Sequence, residues 1–155
     1  MLKIYTDGSC INSVGGYGFV VISGEDHFDY FGKYPGVCTN QKAELYAILK
    51  AIVCAQTTFK EYISSLDKDK NIQINNIEIY TDSKYAIGCL TIWYPNWLKN
   101  GWKNSKKQPV ANKELIEEIL LVMKGRNIKF FHVFGHKGNF YNELADKLAD
   151  QGRNA

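Results

Sequence analysis

No apolar run in the chain approaches the roughly 18 residues a membrane-spanning helix requires, which argues against a helical membrane protein. Cysteine is scarce: four in 155 residues, at positions 10, 38, 54 and 89. There is no Cys-x-x-Cys pair and no disulfide-rich spacing. That excludes a disulfide scaffold and fits thiols that pack in a reducing compartment. Internal repeats, linkers and low-complexity tracts are absent too. Met1-Leu2-Lys3-Ile4 enters a strand pattern almost at once, leaving no room for a targeting peptide, so a cytoplasmic location is expected. The glycines at 15, 16 and 18 do not make a G-x-G-x-x-G turn, and a hairpin pattern rather than a helix follows the first strand. A doubly wound nucleotide-binding protein is thereby set aside. Net charge is only +3, so the total says little about partners.

What is present is an ordinary globular composition, 45% apolar and 23% charged, in a length that suits one core. Ile79-Tyr80-Thr81-Asp82-Ser83 and its near echo Ile4-Tyr5-Thr6-Asp7-Gly8-Ser9 are alternating strand patterns, each ending on a carboxylate. Either Asp alone reads equally as a turn or cap residue. Two strands that deliver Asp7 and Asp82 to one sheet edge can instead hold a cation, since carboxylate oxygens are usual ligands of Mg²⁺. Glu44 in an amphipathic helix and Asp146 in the last helix complete the set of carboxylates that a two-metal phosphodiester site requires.

The remaining pattern predicts an opening antiparallel meander: a strand over 2–8, a turn-rich connection over 8–16, and strands over 17–22 and 27–34. Thr39 or Asn40 caps a helix to about Thr58, with Leu45, Ile48, Leu49, Ile52 and Val53 as its apolar stripe. The segment from Lys60 to Asn76 reads as a polar surface excursion. A strand over 77–81 precedes two short helical segments. Asn112 caps a helix to Lys124, a sheltered strand runs over 128–134, and Asn139 begins the last helix. Between them, Lys99, Lys103, Lys106 and Lys107 form an acid-free cluster interleaved with Trp93, Trp97 and Trp102. A basic patch with aromatics suits a phosphate backbone, although core packing is expected for at least one of the tryptophans.

The order strand-Asp, helix-Glu, strand-Asp, Gly-His loop, helix-Asp resembles type 1 (single-domain) ribonuclease H along essentially the whole chain. The matching stretches are Tyr5-Thr6-Asp7-Gly8-Ser9, Thr39-Asn40-Gln41-Lys42-Ala43-Glu44-Leu45, Tyr80-Thr81-Asp82-Ser83-Lys84-Tyr85, Val133-Phe134-Gly135-His136-Lys137-Gly138 and Asn142-Glu143-Leu144-Ala145-Asp146. Trp97-Leu98-Lys99-Asn100-Gly101-Trp102 through Pro109-Val110-Ala111-Asn112 is similar to that family's basic protrusion. The resemblance implies an α/β fold, a five-stranded mixed sheet of three antiparallel and two parallel strands with helices on both faces. It implies a single catalytic domain over 1–155, a protrusion at about 93–109, and no separate hybrid-binding domain.

Function follows from the same resemblance: endonucleolytic cleavage of the RNA strand in RNA·DNA hybrids by a monomer, leaving 5′-phosphate and 3′-hydroxyl ends. Asp7, Glu44, Asp82 and Asp146 would be ligands of two Mg²⁺ ions roughly 3.5–4 Å apart, with Mn²⁺ as a substitute and Asp7 as the bridging ligand. His136 would be a mobile helper. Asn40, Gln41 and Glu44 would face the minor groove, with Cys10 and Asn12 as backbone contributors from the first loop. Thr39 and Asn112 would grip a DNA phosphate, where the expected arginine is Val37. The alternatives are another metal nuclease of the same superfamily, resolvase- or integrase-like, which would lack the tryptophan-lysine block and the Gly-His loop. A non-catalytic hybrid-binding module would be expected to have lost a carboxylate.

Overall fold

The structure is a computed structural model that describes residues 2–58, 60–61, 76–134 and 138–155. Alternating apolar residues build three antiparallel strands first, β1 (Leu2–Ile11), β2 (Val14–Ser23) and β3 (Asp26–Lys33). β1 is longer than the predicted 2–8, because the connection to β2 is only the two-residue turn Asn12–Ser13. Both of its residues have positive φ, 53° and 66°, the geometry whose twist matches a hairpin. The glycines nearby do not turn the chain. Gly15 lies under the Cys38 side chain, and Gly16 and Gly18 lie under the last helix.

Helix α1 (Asn40–Gln56) follows, its N-terminus capped by Thr39 Oγ1, which accepts from Lys42 N at 3.2 Å. Its buried face is wider than the predicted stripe and takes in Ala43, Ala47, Ala51 and Ala55, while Val53 is exposed. The reason is tertiary: α1 lies between the sheet and a second helix, α4 (Lys113–Met123). The small alanines let both neighbours approach. Burial of Ile48 and Ile52, each fully enclosed, contributes roughly 1.5–3 kcal/mol apiece. Most of the 60–76 excursion falls outside the described residues.

Strand β4 (Asn76–Thr81) pairs parallel with β1, and β5 (Asn127–His132) pairs parallel with β4. The sheet order is β3-β2-β1-β4-β5, with three antiparallel and two parallel strands as expected. Between β4 and α4 lie α2 (Lys84–Ile87), a π-helical turn at Gly88–Trp93 and α3 (Tyr94–Asn100). The final helix, α5 (Phe140–Arg153), packs on β2, β1 and β3 on the face opposite α1.

The expectation that β5 is sheltered on both faces is corrected. β5 is an edge strand, and α5 covers β1–β3 but makes no substantial contact with it. Phe131 consequently stands 39% exposed. It stacks on Tyr80, which stacks in turn on Tyr5, with ring centroids 5.1 and 4.6 Å apart. Tyr5 in turn meets Tyr141 of α5 at 5.5 Å, so the row of rings runs from α5 out to the sheet edge.

Candidate active site

Parallel pairing of β1 and β4 puts Tyr5 beside Tyr80. Asp7 and Asp82 each lie two residues farther on, Asp7 midway along β1 and Asp82 just past the end of β4. Glu44 arrives from the second turn of α1, not from a first turn where the helix dipole alone would explain an acid. The close approach needs Gly8: a Cβ there would run into the backbone of Ala43 and Glu44. One carboxylate oxygen from each of Asp7, Glu44 and Asp82 falls within 4.8 Å of the others. Asp146 stands outside that group, on the exposed side of α5, yet its carboxylate is close enough to help raise the pKa of Asp7.

Electrostatics mark the cluster as incomplete. Burial, then the facing carboxylates of Glu44 and Asp82, push the Asp7 carboxyl far above the usual carboxylate range. Glu44 is pushed up mainly by burial, against a lowering hydrogen bond with Asp7. Asp82 also moves up through burial, partly offset by a backbone hydrogen bond and, less, by the nearby His132. Asp7 is only 5% exposed, so water cannot relieve the repulsion. Glu44 Oε2 is buried with no hydrogen-bond partner, which costs free energy unless a cation takes the lone pairs. All the donors are hard oxygens, and these suit Mg²⁺ or Mn²⁺ rather than zinc or copper. The residues present therefore fit a divalent ion.

The RNase H family model matches residues 1–154. The chain belongs to the RNase H family. It is 38% identical to a ribonuclease H of Clostridium botulinum, over 96% of this chain and 92% of that one. It is 37% identical to human ribonuclease H1, over 96% of this chain but 49% of the human one. Among solved structures it matches a foamy viral protease-reverse transcriptase in complex with RNA/DNA hybrid, with TM-score 0.76 and 28% identity, over 98% of this chain and 20% of that chain. The PFV RNase H domain is similar at TM-score 0.73 and 26% identity, over 99% of this chain and 94% of that one. As an RNase H, this is a metal-dependent enzyme that hydrolyses phosphodiester bonds.

Around the carboxylates, this RNase H presents the other anticipated residues unequally. Cys10 is in β1 rather than in a loop, its Sγ donating to Cys38 O at 3.3 Å. Asn12 is exposed in the hairpin turn, and Asn40 and Gln41 are exposed on the first turn of α1. Asn112 does precede α4, but its side chain makes no cap hydrogen bond. Its left-handed backbone, φ 62°, aims the amide elsewhere: Nδ2 donates to Tyr85 Oη at 3.0 Å and, longer, to Gln41 Oε1 at 3.5 Å. Val37 is 72% exposed, so no core packing accounts for its replacing a charge. Lys42 and Lys113 line a groove of about 650 Å³ together with Asn112, two cations that sequence reasoning passed over.

Tyr85, Trp93, Trp97 and Trp102 form a run of tilted rings with centroids 5.8–6.3 Å apart, reaching from α2 to the basic loop. Trp102 is buried and carries the core role expected of one tryptophan, while Trp93 is 41% exposed. Lys99, Lys103, Lys106 and Lys107 are all exposed. The loop beneath them is shaped by Asn104, whose Oδ1 accepts from Lys106 N and Gln108 N at 2.9 and 3.0 Å. His136 lies outside the described residues. His132, at the end of β5, lies near Asp82.

Proposed function

We propose that this enzyme cleaves the RNA strand of RNA·DNA hybrids with two Mg²⁺ ions, leaving 5′-phosphate and 3′-hydroxyl ends. The observation that carries the reading is the set of buried carboxylates around Asp7, one of whose members, Glu44, keeps an orphaned oxygen. Asp7 faces both sides, toward Glu44 and Asp82 and toward Asp146, and would be the shared ligand. Glu44 and Asp82 would complete one ion's site and Asp146 the other. Two such ions, when bound, lower the pKa of an attacking water and neutralise the leaving oxygen. Asn40 and Gln41, with Asn12 and Cys10, would read the groove of the hybrid, where the RNA 2′-hydroxyl distinguishes the strands. Thr39 and Asn112, supported by Lys42 and Lys113, would hold a DNA phosphate. Trp93, Trp97 and the exposed lysines, flanked by Trp102, would follow the DNA backbone, and His136 would assist near the attacking water.

The test is cleavage of end-labelled RNA, in a hybrid and in an RNA duplex, with and without Mg²⁺, beside Asp82→Asn. Cutting confined to the hybrid, dependent on metal and reduced at least about 100-fold in the variant, is expected. Tight hybrid binding without cutting would point to a non-catalytic module. Cutting of branched DNA instead would point to a resolvase-like enzyme.

A further inference from the structure

β1 and α5 bring the carboxylates of Asp7 and Asp146 together. A second rung of side chains lies directly beyond them. Ser9 Oγ donates to Asp150 Oδ1 at 2.7 Å. Arg153 Nε donates to Ser9 Oγ at 2.9 Å, and Arg153 Nη2 reaches Asp150 Oδ1 at 3.3 Å. The three groups close a ring, and the Arg153 side chain is only 18% exposed.

The two rungs are in register for a geometric reason. Ser9 lies two residues past Asp7, so both point to the same face of the strand. Asp150 lies four residues past Asp146, so both share one face of the helix. Two strand residues advance about 6.7 Å and four helix residues about 6 Å, so the spacings match if α5 runs alongside β1. The glycines of β2 show that it does. Gly18, paired with Asp7, lies against Ala149 and Leu148, and Gly16, paired with Ser9, lies against Gly152 and Arg153. Moving two residues along the sheet therefore moves about four along the helix. One rung sets two acids side by side, and the next is tied by hydrogen bonds.

We propose that Ser9, Asp150 and Arg153 are positioning residues, a clamp that holds Asp146 against Asp7 before metal arrives and so sets the affinity for the ions. This rests on the two-metal reading above. None of the three is assigned to the reacting atoms; they act through where they hold α5.

The measurement is Mg²⁺ binding by calorimetry without substrate, together with the Mg²⁺ concentration giving half-maximal hybrid cleavage. It would be made on the intact protein and on Ser9→Ala, Ser9→Thr, Asp150→Asn and the Ser9→Ala/Asp150→Asn double variant. Ser9→Ala and Asp150→Asn should each weaken Mg²⁺ binding about 10-fold, the lower end for residues that support metal ligands, with KM for the hybrid unchanged. The double variant should be no worse than either, because the two residues form one interaction. Ser9→Thr, which keeps the hydroxyl, should bind as the wild type does.

A normal Mg²⁺ affinity in Ser9→Ala, with only a lower Tm, would overturn the clamp. So would weakening in Asp150→Asn alone, which would make Asp150 merely an anion in the ions' field. Asp7→Asn is the separate control. If it binds Mg²⁺ as well as the wild type, the two-metal reading itself has failed, and the clamp with it.

Discussion

At the residue scale, Asp7 concentrates the tension of the site. A carboxylate 5% exposed and faced by other acids has its pKa raised on folding, and the sign of the consequence follows. Below about pH 4, the ordinary carboxylate range, folded and unfolded chains both hold the proton and there is no penalty. As pH rises above that, the unfolded chain ionises first, and the metal-free folded state loses stability until Asp7 ionises as well. Asp7→Asn removes the penalty. The variant should be more stable than the metal-free wild type at pH 8 by about 1–3 kcal/mol, raising Tm by roughly 2–4 °C per kcal/mol, and by much less at pH 4. Thermal melts in EDTA at the two pH values would decide it; equal melting temperatures at pH 8 would show that Asp7 is not strained. Gly8 is the other residue on which the site depends, since the contact of Glu44 with Asp7 exists only where β1 carries no Cβ at that position.

At the scale of elements, the segment from α2 to the basic loop divides its labour. The π-helical turn at Gly88–Trp93 widens the helix and seats the Trp93 ring over Gly88, where a Cβ would collide with it. Trp102 anchors the far end in the core, and a left-handed Gly101 with φ 77° lets α3 stop between them. The exposed lysines contribute nothing to that framework, because the loop is held by backbone bonds from Trp102, Asn104, Lys107 and Val110. Truncating Lys103, Lys106 and Lys107 together to alanine should therefore leave Tm within about 1 °C, the surface-substitution range. It should weaken hybrid binding and flatten its dependence on salt by up to about 3 in log–log slope, one unit per lost phosphate contact. Binding measured between 50 and 300 mM salt would show this, and an unchanged slope would move the DNA path off the protrusion.

For the molecule as a whole, the core and the site are separable. The cluster around Ile4, Leu45, Ile48, Ile77, Ile79 and Ile116 contains none of the candidate metal ligands, so stripping metal with EDTA should abolish cleavage while leaving the far-ultraviolet spectrum unchanged. The ions nevertheless bind only the folded state. Mg²⁺ at 100 times its Kd should add about 2.7 kcal/mol of stability, with a larger gain at pH 8 than at pH 5, because protons compete for the same oxygens. Melting curves with and without Mg²⁺ at both pH values test this, and a gain independent of pH would place the ion elsewhere.

The alternation of the strands, the core of the apolar stripe of α1 and the placing of Asp7 and Asp82 on neighbouring strand patterns are local properties, and the sequence by itself was enough to determine them. Motif order pointed to Glu44 and Asp146 as well. What it could not supply were the terms that depend on one element touching another. The Asn12–Ser13 turn was hidden because the glycines beside it are spent on packing, Gly15 under Cys38 and Gly16 under α5. The exposure of β5 depends on how far α5 reaches across the sheet, and the amide of Asn112 turns to Tyr85 rather than to its own helix. Ser9 and Asp150 are 141 residues apart, and no periodicity connects them. Their contact exists because a helix advances four residues while a strand advances two, and only the packing of α5 along β1 decides which residues meet.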